Sequence, residues 1–445
     1  MRRIPRLPFL LGAAACAVAS LARPARADEI RFYDPATCEV KTEKGDVNDE
    51  SWTQITWKST PTSPIKKVET RLLVEIKRTG AGADDPSAQK LRAALDELGR
   101  GQYAAAREAF TGIAGGGLAK NPENDRVEFK PFPSSGDKKG KWYEGYAHFF
   151  WAKTAYLEGK EKNDLALLEA ARRALDADSG GGEKGFLQRF REGKNRYYAD
   201  AMALKGDVLL ALGKPDDAGK AWDELYQKVI QLPSIGPRFA FEAKLGAGRI
   251  AEAKGDVPGA ESAYEAAASA LQAMLDAPSA DSCARRELGR YWAEARVQKA
   301  RVMLNNAEKL DSPPEYARLR KFLEEGSPES LKARLTGRPP EVVDAVVAGA
   351  QAPTVQAVVQ NGIGLAYLNE KRYVDAMFAF NEVRIKHFAV RDEVARALWY
   401  LQRAASEAAK AATRPEAKNL FQGQAEAAKK ELESSFKGWT PPARK

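Results

Sequence analysis

Four stretches of this chain can be laid over one another without a gap: "GQYAAAREAF" from Gly101, "GKPDDAGKAW" from Gly213, "GDVPGAESAY" from Gly255 and "KRYVDAMFAF" from Lys371. Alanine falls five residues after each start (Ala106, Ala218, Ala260, Ala376) and again eight after (Ala109, Ala221, Ala263, Ala379). An aromatic follows at nine (Phe110, Trp222, Tyr264, Phe380) and an apolar residue at twelve (Ile113, Leu225, Ala267, Val383). Seven residues before each start stands a small residue: Ala94, Gly206, Gly248 or Gly364. The pattern describes a helical hairpin. The small residue lets two helices approach closely, and the start marks the turn. The alanines form a close-packed face, and the aromatic fills the gap to the next hairpin. A hairpin of this kind cannot bury its apolar face alone, so repeated copies must stack into a solenoid.

These residues resemble the tetratricopeptide repeat family. The resemblance rests on the small residue of the first helix (Gly206, Gly248, Gly364), on the turn, and on the alanines and aromatic of the second helix. The chain departs from the family pattern in several places. The closing proline is absent, Ala94 replaces glycine in the first copy, and Lys371 replaces the turn glycine in the last. Starts 213 and 255 are 42 residues apart, against the family's usual ~34. Degenerate hairpins are expected in the gaps, one of them over residues 142–178 and another including the helix over 285–306. The resemblance implies a mostly α-helical superhelix over 87–436 and a partner groove lined by the first helix of each hairpin. Carried over position by position, the groove residues are Asp200, Asp207, Glu242, Arg249, Glu252, Asn361 and Asn369.

Ahead of the helices, residues 28–80 read differently. "EIRFY", "CEVKTEKGDV", "WTQITWK" and "TRLLVEIKR" carry β-branched and aromatic residues in partial alternation, separated by turn-formers. They predict a small β-barrel or β-meander, marginal alone and stabilised by docking on its neighbour. From about Ser87 strong helix formers take over. The residues between 115 and 141 read as a long loop, functional or disordered. Residues 437–445 read as a flexible tail.

The first residues have the form of an export signal. Arginines at 2, 3 and 6 precede an apolar run from Leu7 to Leu21, and Ala25-Arg26-Ala27 is a cleavage signature that would leave Asp28 first. A lipoprotein anchored through Cys16 is the rival reading. The expected address is the periplasm or cell envelope. No later stretch is long and apolar enough to span a membrane. The formal charge is +9, but the leader carries five arginines and no acid, so 65 basic and 61 acidic residues remain, a net +4. That is no nucleic-acid footprint.

Two cysteines, Cys38 and Cys283, follow the leader and fall in different domains. In an oxidising compartment they could clip the domains together. Pairing does not follow from sequence, and two isolated thiols are the plainer expectation. His148 and His387 lie near no ligand-spaced partner, so no metal and no cofactor is expected. Gly246-Ala-Gly248 imitates a dinucleotide fingerprint without a preceding strand, and Ser63-Pro-Ile-Lys66 imitates a penicillin-binding motif without its companions. The arginine-rich helix 284–301 reads as a solvated helix with Tyr291 and Trp292 in the core. The expectation is a non-catalytic scaffold that binds a protein or peptide partner. One alternative is an accessory subunit of an envelope assembly, marked by an exposed apolar patch. Another is a glycan-associated module, which would need Trp52 and Trp57 side by side on an open face of the β-domain.

Overall fold

The computed structural model describes residues 27–78, 86–120, 127–130, 132, 142–176, 184–277, 280–310, 312–437 and 439. The leader reading (1–26) lies outside the described residues, as does most of the tail. Five strands form one antiparallel sheet: β1 Asp28–Tyr33, β2 Val40–Glu50, β3 Gln54–Lys58, β4 Lys66–Glu69 and β5 Leu73–Lys77. Their order is β4-β3-β2-β1-β5. The first four make a meander, and β5 returns to the free side of β1. The sheet is therefore open and not a barrel. Its core holds Ile30, Phe32, Ile55, Trp57, Val68 and Leu72.

Helices follow: α1 Pro86–Gly99, α2 Tyr103–Ala114, α3 Trp142–Lys162, α4 Leu165–Leu175, α5 Phe186–Arg189, α6 Tyr198–Ala211, α7 Pro215–Gln231, α8 Pro237–Ala253 and α9 Val257–Leu275. Beyond them lie α10 Ser282–Leu310, α11 Pro313–Glu325, α12 Pro328–Arg334, α13 Pro340–Ala350, α14 Pro353–Asn369, α15 Tyr373–Lys386, α16 Arg391–Ala411 and α17 Pro415–Ser435. The protein is mostly helical, with successive hairpins stacked in a solenoid-like arrangement. Among the described residues no single helix is long and apolar enough to cross a membrane; α13 and α14 pass that test only as a pair bent by 62°.

The repeat has a backbone cause. Each of its four starts is left-handed, with φ of 75° at Gly101, 72° at Gly213, 72° at Gly255 and 61° at Lys371. In each, the following N–H reaches back five residues to a helix carbonyl: Gln102 to Glu97, Lys214 to Leu209, Asp256 to Ala251 and Arg372 to Tyr367, all at 2.9 Å. This bond closes the first helix and aims the chain into the second. A fifth turn, between α3 and α4, has the same form. Asn163 takes φ 52°, and Asp164 N–H reaches Gly159 at 2.8 Å. The expected degenerate hairpin over 142–178 is thus a true copy in backbone. Asn tolerates the left-handed position better than other non-glycine residues.

The aromatics sit somewhat differently from the expectation. Trp222, Tyr264 and Phe380 fill space over their own hairpin's glycine, and Trp222, Phe110 and Phe380 reach the next hairpin. A Cβ on Gly206 would lie 2.3 Å from Trp222, one on Gly248 2.3 Å from Tyr264, and one on Gly364 2.5 Å from Phe380. On the far side, Trp222 abuts Gly246 of α8, Phe110 stacks on Phe150 at 6.0 Å, and Phe380 stacks on Tyr400 at 5.5 Å. Gly246 and Gly248 are packing devices. The aromatic ties one repeat to the next.

The chain breaks its own period in two places. The expected loop 115–141 contains a hairpin of β6 Gly117–Lys120 and β7 Val127–Lys130. Phe129 and the following Phe132 pack edge-on against Trp151 at 5.8 and 5.6 Å. The 29-residue α10 spans two layers, packing on α9 and α13 and then on α11 and α14. It crosses α13 backbone to backbone, where a Cβ on Gly289 would meet Ala345 O at 2.2 Å and one on Gly349 would meet Gly289 O at 2.3 Å.

Candidate partner groove

The first helices α3, α6, α8 and α10 follow one another across the stack. Their inward spacing gathers four of the sequence-selected residues. Arg249 Nη1 donates to Asp207 at 2.8 Å and its Nη2 to Glu242 at 3.0 Å. Nearer the N-termini of the same helices, Arg238 donates to Asp200 at 3.1 Å. Asp200 and Asp207 belong to α6, whereas Arg238, Glu242 and Arg249 belong to α8, so the pairs are rungs between neighbouring hairpins. Sequence reading missed Arg238, although its place four residues before Glu242 and eleven before Arg249 puts it on the same face of α8. Lys153, Tyr156 and Lys160 of α3 come close enough to act electrostatically on Asp200, Asp207 and Arg249. Glu287, Arg290, Tyr291 and Glu294 of α10 extend the strip.

Burial pushes the carboxyls of Asp200 and Asp207 above their ordinary values, and the nearby arginines only partly oppose it. Arg249 is pushed upward even though its burial acts the other way. The two directions are consistent because Arg249 serves two carboxylates, while at Asp207 burial and the neighbouring Glu242 outweigh Arg249 and Lys160. Glu287 and Glu294 are raised by the same desolvation. This face is thus poorly hydrated but open: side-chain exposure runs from 20% for Asp200 to 54% for Arg238. Each guanidinium keeps donors that its partners do not use.

The remaining selected residues are not gathered. Glu252 accepts from Tyr264 Oη of its own hairpin. Asn369 is half-buried at the end of α14. Asn361 is a correction: it is fully buried. Its Nδ2 donates to the Glu393 backbone carbonyl at 2.9 Å and to Glu393 Oε2 at 3.0 Å, and Arg301 binds the same carboxylate at 3.1 Å. The position ten residues before the turn is a packing position in other copies too, filled by buried Leu91 and Leu245 and half-buried Ala203.

Position decides two other expectations and places His148. Trp57 is 1% exposed in the sheet core and Trp52 is 7% exposed beneath Gly193. The open tryptophan pair required for a glycan module does not exist. Cys38 and Cys283 are bonded, with Cα atoms 5.1 Å apart, which corrects the expectation of isolated thiols. His148 is buried against Phe132 at 3.8 Å, and burial pushes its pKa down to about 3. It is a core residue.

Two further surfaces stand out. An open concavity of about 850 Å³ lies between α9, α10 and α11, but Glu261–Arg318 (2.7 Å) and Glu265–Lys299 (3.0 Å) pair across its walls. On α15, Val374, Phe378 and Ile385, with Phe388 just beyond, are 48, 72, 68 and 74% exposed and fall along one helical stripe.

No family model matches the chain, and no curated protein matches it in sequence. Among solved structures it is similar to BtubC (BKLC) from P. vanneervenii, at 13% identity and a TM-score of 0.35, over 68% of this chain and 95% of that one. A likeness of that degree carries no argument about function.

Proposed function

We propose that the protein is a non-catalytic scaffold of the tetratricopeptide-repeat type, exported to the cell envelope. It holds a protein or peptide partner against the face formed by α6, α8 and α10. One observation carries the reading: the rungs Asp200–Arg238 and Asp207–Arg249–Glu242 are presented half-exposed and poorly hydrated on neighbouring first helices. A partner's charged or amide groups can insert into such pairs at modest cost, because the protein's own groups are already partly desolvated. Tyr156 and Tyr291 flank the strip with apolar bodies and polar tips. The disulfide supports the export reading, since such bonds persist in oxidising compartments.

The test is a comparison of partners captured from envelope extract by the wild type and by Asp207→Ala/Arg249→Ala. Loss of specific partners in the variant supports the groove, and identical partner sets reject it. The exposed α15 stripe favours a second reading, an accessory subunit that buries this stripe in a lasting assembly. On that reading Phe378→Ser/Phe388→Ser, and not the groove variant, loses the partners.

A further inference from the structure

We infer that the N-terminal sheet is a splint that sets the curvature of the solenoid from α3 to α10. A stacked-hairpin protein is held by nearest-neighbour contacts alone, so small rotations between repeats accumulate and its curvature is soft. An element that grips several non-neighbouring repeats removes that softness. This sheet grips four successive first helices at their N-terminal ends.

At α3, Tyr146 Oη donates to Glu50, and Arg78 lies 5.0 Å from the Trp142 ring. Glu50 also pairs with Arg78 and with Arg196 at 3.7 Å, the latter just ahead of α6. At α6, Trp52 N–H donates to Gly193 O at 3.0 Å and its ring meets Tyr198 at 4.9 Å. Only glycine fits at 193, where φ is 71° and a Cβ would lie 1.9 Å from the Trp52 ring. Ahead of α8, Arg71 packs on Gly236, where a Cβ would come within 2.8 Å of it. At α10, Arg71 pairs with Asp281, and the disulfide joins Cys38 to Cys283.

These anchors are buried. The side chains of Arg78, Glu50 and Arg71 are 9, 10 and 11% exposed, and Cys283 belongs to the sheet's own core cluster. Interface burial of this kind is ordered, unlike a surface tether. The disulfide closes a separation of 245 residues, so it holds the sheet's first turn on α10 whatever the intervening hairpins do. The inference does not depend on what the groove binds.

The test is hydrogen exchange, read by mass spectrometry on the chain without its leader. The wild type is compared with Cys38→Ser/Cys283→Ser and with the same variant carrying Trp52→Ala. Helical circular dichroism confirms that the solenoid is intact. The expected result is faster exchange in α6 and α8, roughly tenfold in the triple variant and less in the double, with α14, α15 and α16 unchanged. Faster exchange confined to the sheet would show that the sheet is a passenger. Equal acceleration in both halves would reduce the effect to general destabilisation. Either result overturns the splint.

Discussion

The hairpins α6–α7 and α8–α9 share their left-handed turns and small-aromatic packing with α14–α15, yet that first pair and the pair α14–α15 with α16–α17 are fixed to their neighbours in different ways. In the first pair the sheet grips the edge of the stack, and the charges between hairpins remain half-exposed. In the second pair a buried lock does the holding: Arg301 of α10, Asn361 of α14 and Glu393 of α16 meet with Glu393 only 4% exposed. The difference shows what an external restraint leaves free. Where the edge is held, the first-helix face can keep its polar groups at the surface. Where it is not, a buried polar cluster joins the helices, and an apolar stripe on α15 is what remains exposed.

The comparison can be broken most severely at the shared aromatic. Phe380→Ala and Trp222→Ala should each cost about 3–5 kcal/mol, because both rings are buried between two hairpins. Denaturant melts should show Phe380→Ala separating an early C-terminal transition from the rest. Trp222→Ala, inside the splinted region, should lower one cooperative transition. Identical single transitions would deny that the halves are held differently.

Next in size is the lock. Glu393→Ala removes one of the two acceptors of the buried Asn361 amide and the carboxylate that Arg301 pairs with, and should cost about 2–4 kcal/mol. Asp207→Ala, at a half-exposed rung, should cost about 1 kcal/mol or less. Equal costs would erase the distinction between lock and ladder.

Acid separates the anchor from the groove. At Asp281 burial acts to raise the carboxyl, but the Arg71 bond and the Ala284 N–H outweigh it and hold it below 3.8. Its folded pKa is depressed, so its contribution is present above the unfolded value and is lost as pH falls through the folded one. At Asp207 burial wins and the pKa is raised above 3.8, so the ionised form is the less stable one once pH rises through that value. Asp207→Asn should therefore be better tolerated at pH 7 than at pH 4, and Asp281→Asn the reverse. Thermal melts at the two pH values check the signs.

The smallest effect lies at Lys371, the one lysine among the left-handed turns. Lys371→Gly should stabilise by several tenths of a kcal/mol up to about 1, after the entropy of glycine in the unfolded chain is subtracted. A loss of stability there would mean that the lysine side chain serves the turn in another way.

Much of this architecture was legible because each repeat position is demanded by contact: a left-handed turn, a glycine under an aromatic, an alanine at a close approach. The α3–α4 hairpin was faint because Leu168 and Arg172 replace the alanine and the aromatic while Asn163 keeps the turn. The α10–α13 crossing left no periodic trace, since two glycines meeting backbone to backbone depend on residues sixty apart. Of the groove, Asp200, Asp207, Glu242 and Arg249 were reachable by carrying the repeat along. Asn361 went astray because its repeat position is a packing one, held by buried Leu91 and Leu245 in two earlier copies, and here covered by α16. The strands could be read locally, but their order and the disulfide could not, because both are set by where the sheet docks.

The most direct test of the functional reading is site-specific photo-crosslinking in envelope extract. A photo-reactive residue is placed either at Arg238, within the rungs, or at Phe378, on the exposed stripe. Groove recognition predicts a discrete partner captured from position 238, lost when Asp207→Ala/Arg249→Ala is added, and absent from position 378. Capture from position 378 alone would contradict it and make the α15 stripe the working surface.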